Sequence, residues 1–257
     1  MIKMLKRRAP SISLIISLFV IWELACIFFS VPDFVLPRPT QIISVIWERA
    51  PAIRPHAERT LFTTLTGFGI GVSLGIAIGV LIGSSRLAYD TAYPLLIGIS
   101  SIPMIAMVPI FVLWFGYGIV PAILTAVILC VFPVIVNVAM GIATVEPELE
   151  DVMKTLKASR LDILWHVSLP RSMPYLFASL KIAITLAFVG SVVAETVASN
   201  RGIGNMMMIA TSSFNVPLVF AGLLILAVMG VSLYATFALL ERRMLRWATR
   251  GSNGGAS

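Results

Sequence analysis

The chain has 257 residues, 58% hydrophobic and 12% charged, with a mean hydropathy of +0.98. Soluble domains carry about 25% charged residues, so this composition excludes water as the main solvent and implies one membrane-embedded domain built on apolar runs of about 20 residues, enough to cross a bilayer. The net charge of +7 and pI near 9.9 do not indicate a nucleic-acid partner, because the basic residues cluster in short segments beside the apolar runs.

In chain order, residues 1–11 are basic and read as a cytoplasmic N-terminus. The first run, 12–30, imitates a signal peptide, but it is long and no small-x-small cleavage site follows, so it is read as a retained helix. Residues 31–58 are too polar to span. Within them 40–49 has helical apolar spacing and a tryptophan, which predicts a helix lying along the outer surface.

The second run, 60–83, carries Gly67, Gly71, Gly75, Gly79 and Gly83. A four-residue step advances about 400° around a helix, so these glycines form a slowly drifting stripe that another helix can approach closely. The third run, 91–115, is interrupted by Pro94, Pro103 and Pro109, each lacking an N–H and clashing with the preceding turn. Irregular backbone is tolerated at membrane depth where it is buried or lines water, which makes this run the expected neighbour of a pathway. Runs four to six are 119–143, with Pro133 and Asn137, then 176–198 and 218–240. Residues 12–250 are thus one transmembrane domain of about six helices, and 251–257 is a flexible tail.

Fourteen basic residues fall on the side of the N-terminus, residue 86, the 144–175 connection together with Lys181, and the C-terminus, against five on the other (Arg38, Arg49, Arg54, Arg59 and Arg201). The positive-inside rule therefore places both termini in the cytoplasm. Glu23 and Glu195 are ionisable groups in apolar runs, each needing a partner, water or protonation. Lys181 is expected to extend to the cytoplasmic boundary. Cys26 and Cys130 are read as core hydrophobes, and His56 and His166 fall on opposite sides, so no metal or catalytic site is expected. The pathway residues chosen for polar or adaptable side chains near the proline breaks are Ser100, Ser101, Met104, Asn137, Thr185, Ser191 and Glu195.

Residues 144–175 form the largest cytoplasmic feature. Pro147 suits a first helical turn, Ser159 to Asp162 has capping-box form with Asp in place of Glu or Gln, and Pro170 is expected to stop the second helix. The result is two short helices with an apolar face, covered either by the chain's own membrane domain or by a docked partner.

The stretch from Pro147-Glu-Leu-Glu-Asp-Val-Met-Lys to Val167-Ser-Leu-Pro170 resembles the cytoplasmic EAA loop of binding-protein-dependent ABC importer permeases. Its pattern of Glu-Ala-Ala, three residues, Gly, nine residues, Ile, one residue and Leu-Pro falls here on Asp151-Val152-Met153, Lys157, Val167 and Leu169-Pro170. The two small residues are Val152 and Met153, and the glycine is Lys157. Trp22-Glu23, Val35-Leu-Pro-Arg-Pro39, Pro109 through Gly118 and Ala194-Glu195 look like the nitrate/sulfonate/taurine branch. The segment from Pro174 to Ala183 and Ser199-Asn-Arg-Gly-Ile-Gly204 are similar to permeases for thiamine-pyrimidine precursors or riboflavin.

The resemblance implies an all-α type I ABC importer (MetI-like) permease fold in a bacterial inner membrane, with no enzymatic activity. It implies a second permease copy, as a homodimer or a closely related pair, two ABC ATPase subunits that hold ATP and Mg, and an extracytoplasmic substrate-binding protein. The solute would be a sulfonate, taurine, nitrate or a pyrimidine-like compound. Consistent with this division of labour, the chain has no Gly-x-x-x-x-Gly-Lys-[Ser/Thr] phosphate loop. The helix around 155–167 would act as the lever, with Asp151, Lys157, Ser159, Arg160, Leu164 and Pro170 at the ATPase contact, charges at the rim and the leucine in the groove. The competing class is a proton-coupled secondary transporter using Glu23 or Glu195.

Overall fold

The computed structural model describes residues 2–245, and the side chains of these except at 2–9, 11, 12, 147, 150, 154 and 160. The expected tail at 251–257, together with Arg246 and Arg250, lies outside the described residues.

The described chain is all-helical. Helix α1 (Ile2–Phe28) leads into α2 (Pro39–Glu48), where Glu23 accepts hydrogen bonds from the Thr40 N–H at 3.1 Å and from its hydroxyl at 2.9 Å. A carboxylate of α1 thereby caps the start of α2. Helix α3 (Ala50–Gly83) begins ten residues before the apolar run it contains, as α1 does and as α9 (Leu169–Ala198) does by seven. Hydropathy marks where a chain enters an apolar medium, and backbone hydrogen bonding continues past that boundary into water.

Helices α3, α6 (Ile119–Ala143) and α9 make the centre of the bundle, joined by a core that includes Phe68, Cys130, Val134, Val138, Ile142 and Ile184. The glycine stripe of α3 lies against α6. A Cβ added to Gly75 would sit 2.7 Å from the Cβ of Val134, and one added to Gly79 would sit 2.8 Å from that of Val138. Residues 126, 130, 134, 138 and 142 of α6 answer residues 67, 71, 75, 79 and 83 of α3 at the same four-residue step. In lipid, such close backbone approach supplies the dispersion contacts that hold helices together.

The proline-rich third run is bent by 74° between Arg86–Ser100 (α4) and Met104–Phe115, the latter a 3-10 turn, Met104–Met107, followed by α5 (Val108–Phe115). The break falls just before Pro103; Pro94 is absorbed within α4, and Pro109 occupies the first turn of α5, where a missing N–H costs nothing. Beyond α6 come α7 (Pro147–Thr155) and the one-turn α8 (Arg160–Ile163), then α9, α10 (Ile203–Ser212) and α11 (Val216–Met244).

Among the described residues four helices are long and apolar enough to span a membrane, or five if the bent pair is one span. The first expected span, 12–30, falls within α1, where Ser13–Phe28 is apolar.

Candidate functional site

Chemistry-bearing residues gather at two ends of the bundle. At the loop end, α7 closes with the Ala158 N–H reaching back to the Met153 carbonyl at 3.0 Å. The bond passes over Lys157, whose φ is +60°. This is the Schellman ending, which places its penultimate residue in the left-handed region and usually puts glycine there. Lysine keeps the same turn at a cost of about 1–2 kcal/mol.

Asp162 Oδ2 then accepts from the Ser159 N–H at 2.9 Å and from its hydroxyl at 2.6 Å, and the Asp162 N–H returns to Ser159 Oγ at 3.2 Å. The capping box closes with aspartate as its acid. Pro170, however, does not stop the second helix. A wider π turn over Leu164–Ser168 carries the Leu169 N–H to the Leu164 carbonyl, and α9 continues with Pro170 in its first turn. The altered hydrogen-bond pattern accommodates a residue that has no N–H to give.

This turn divides the apolar face of the loop. Leu164 is half-buried against the α3–α6–α9 core and Ile163 is buried. Leu161 and Trp165 remain 66% and 65% exposed, and Val152 and Leu156 are also exposed. Asp151 and Ser159 are exposed as well. The Arg171–Glu146 pair at 3.4 Å is solvent-facing, and such pairs contribute little.

At the opposite end lies a buried polar cluster. Glu195 on α9 is 0% exposed. Its Oε2 accepts from the Thr60 hydroxyl at 2.7 Å and its Oε1 from the Thr63 hydroxyl at 2.9 Å. The Arg59 guanidinium and the Gly204 N–H add attraction for the carboxylate. Thr60 Oγ1 accepts in turn from the Ile203 N–H at 2.9 Å. His56 Nδ1 lies 3.2 Å from the Gly202 N–H and 2.9 Å from the Gly202 carbonyl, its tautomer deciding which it engages. One turn further along, Thr64 Oγ1 and Ser191 Oγ are 2.6 Å apart. Gly202, at φ +121°, has to be glycine, since a Cβ there would run into the Glu195 carboxylate. The Gly118 N–H bonds the Ala198 carbonyl at 2.7 Å, tying the α5–α6 turn to the same end of α9.

The seven residues assigned to a pathway separate into two groups. Ser100, Ser101 and Met104 surround the α4–α5 break, the two serines exposed and the methionine half-buried, and Thr185 lines an open groove with Lys181, Ile182 and Tyr234. Asn137 is half-buried and donates to the Pro133 carbonyl at 2.8 Å, while Ser191 and Glu195 are enclosed. Lys181 pairs with Glu241 of α11 at 2.6 Å, each side chain less than a quarter exposed. His56, Thr60, Thr63 and Gly202 were not singled out from sequence as a site. Their signal was the recurrence of hydroxyls at 60, 63 and 64, one helical face inside an apolar run.

Residues 71–246 match the family model described as "Binding-protein-dependent transport system inner membrane component". The chain is 32% identical over 232 residues to the riboflavin transport system permease protein RibX of Chloroflexus aurantiacus, covering 90% of this chain and 87% of that one. It is 31% identical to the formylaminopyrimidine transport permease protein ThiX of Halalkalibacterium halodurans, over 90% and 92% of the two chains. It is 27% identical to the taurine transport system permease protein TauC of Escherichia coli, over 91% and 88%. Its fold matches a chain of the inward-facing MetNI methionine ABC transporter with a TM-score of 0.63 at 18% identity, covering 81% of this chain and 98% of that one. An all-helical bundle of MetI-like fold, matched by this family over more than half its length, is a non-catalytic multi-pass membrane component, and the chain belongs to the binding-protein-dependent ABC importer permeases.

Proposed function

We propose that the chain forms the translocation pathway with a second copy of itself, and that two ATPase subunits dock on the 147–168 segment. Both termini face the cytoplasm, and a separate binding protein delivers a small organic or oxyanion solute on the outer side. Riboflavin, formylaminopyrimidine and taurine are the solutes named for its relatives. All contain polar or charged groups that a small set of hydroxyls can accompany through an apolar bundle. Ser100, Ser101 and Thr185 are the exposed pathway residues, with Met104 half-buried beside the two serines.

The observation that carries this reading is the exposed apolar patch of Val152, Leu156, Leu161 and Trp165 on a segment built from a Schellman ending, a capping box and a π turn. Apolar side chains held out by a rigid scaffold mark an interaction surface. ATP-driven closure of the partner would displace this segment, and the continuous helix from α8 through α9 would carry the displacement to Thr185 and beyond. Asp151, Lys157 and Ser159 form the rim of the docking surface; Arg160, assigned to the same contact, has its side chain outside the described ones.

Purification of the tagged chain from its native membrane tests the reading. Co-isolation of an ATP-binding subunit whose hydrolysis rises with binding protein present is the expected result. Uptake by this chain alone, driven by a proton gradient without ATP, would overturn it.

A further inference from the structure

We propose that Glu195 is a positioning residue for transport: held by Thr63 and acting through Thr60, it seats the N-terminus of α10 on α3 and α9, so that α10 moves with these helices as one unit. The proposal rests on the permease reading above.

A helix leaves its first N–H groups without partners inside the helix, and the residue preceding α10 is Gly202, which has no side chain to cap them. Two of the donors at this end are satisfied from elsewhere in the chain. The Gly202 N–H meets His56, and the Ile203 N–H meets Thr60, from positions one helical turn apart on α3. Thr60 can accept from Ile203 while directing its own proton to Glu195. Thr63 donates to the other carboxylate oxygen. A carboxylate suits this position because it accepts at both oxygens and faces the positive end of the α10 dipole.

Ile203, the first residue of α10, also packs with Ile53, Met206, Met207 and Leu218 in one apolar cluster. Without the carboxylate, the Thr60 and Thr63 hydroxyls would fall back on the His56, Arg59 and Thr60 carbonyls of their own helix, and the hydrogen bonds that join α3 to α9 at this end would be lost. Glu195 has no exposed surface. It therefore acts through α10 rather than by touching the solute. Helix α10 is held on its other side where Met207 fits against Gly222 of α11, while Met208 and Ile209 stay exposed.

The test is amide hydrogen exchange on the complete permease–ATPase complex in lipid nanodiscs, with and without trapping by ADP and vanadate. In the wild type, trapping should change exchange at 56–64 and 202–206 together. In Glu195→Ala, exchange at 202–206 should rise about tenfold before trapping, the size expected for losing one buried hydrogen bond. Its response to trapping should vanish there and persist at 56–64. Thr60→Val should reproduce the effect in weaker form and Thr60→Ser should restore wild-type behaviour, which keeps the test decisive if Glu195→Ala fails to fold. The proposal is overturned if 202–206 still follows 56–64 in Glu195→Ala, if Thr60→Val and Thr60→Ser behave alike, or if the two segments respond independently in the wild type. A wild-type complex in which trapping changes no segment, or from which the ATPase is absent, would instead sink the permease reading and this proposal with it.

Discussion

The two ends of the bundle treat polarity in opposite ways. Around Glu195, hydroxyls, backbone donors and a carboxylate are withdrawn from the surroundings and satisfy one another across three helices. At the loop end, the polar caps are local, spent within α7 and α8, and large apolar side chains are held outward. A closed polar cluster is complete as it stands and fixes helices in place. An exposed apolar patch is incomplete and needs something to cover it. The first arrangement belongs to architecture and the second to exchange with a partner.

Breaking the closed end should have the largest effect. Valine at Gly202 would place a β-branched residue at φ +121° with its Cβ on the Glu195 carboxylate. The strain and the displaced acid should together remove about 3 kcal/mol or more. Gly202→Val should lose folded yield in membranes and melt well below wild type in detergent. Gly98→Ala is the control, because a Cβ there meets nothing within 4 Å. Equal melting temperatures for Gly202→Val and wild type would show that the cluster does not hold α10.

The open end should respond in the reverse sense. Replacing Leu161 and Trp165 with aspartate should leave the melting of the isolated chain nearly unchanged, since exposed substitutions usually stay within about 0.5 kcal/mol. It should weaken ATPase association about tenfold, the order expected when hot-spot side chains are lost. Leu164→Asp should destabilise the chain itself, because Leu164 packs on its own core. A double variant that retains full ATPase binding would remove Leu161 and Trp165 from the docking surface.

Sequence made some of this visible because the signal was periodic or local. The four-residue glycine step announced its packing face, Pro147 marked the start of α7, and Ser159 and Asp162 signalled a capping box three residues apart. The trans-cap of α10 was hidden because its partners lie 143 to 146 residues away in sequence. Glu195 stood out as a lone acid, but its partners were ordinary threonines. The division of the loop's apolar face was also hidden, since helical spacing assumes a uniform period. The π turn shifts that period, leaving Leu164 inward beside an exposed Trp165.

The smallest expected effect separates architecture from exchange within a single residue. Lys157 holds a left-handed conformation at φ +60°, and glycine would relieve about 1 kcal/mol of that strain while giving part of it back to the unfolded chain's greater freedom. If the turn is purely architectural, Lys157→Gly should melt slightly higher and couple ATP hydrolysis to transport as before. If the lysine is kept for its charge at the rim of the docking surface, the same variant should be no less stable yet need more ATPase to saturate it, with the difference shrinking as salt is raised. The second outcome is expected. A residue that strains its own turn persists where the contact it makes outweighs the strain, and Lys157 is exposed beside Leu156 at the edge of the apolar patch.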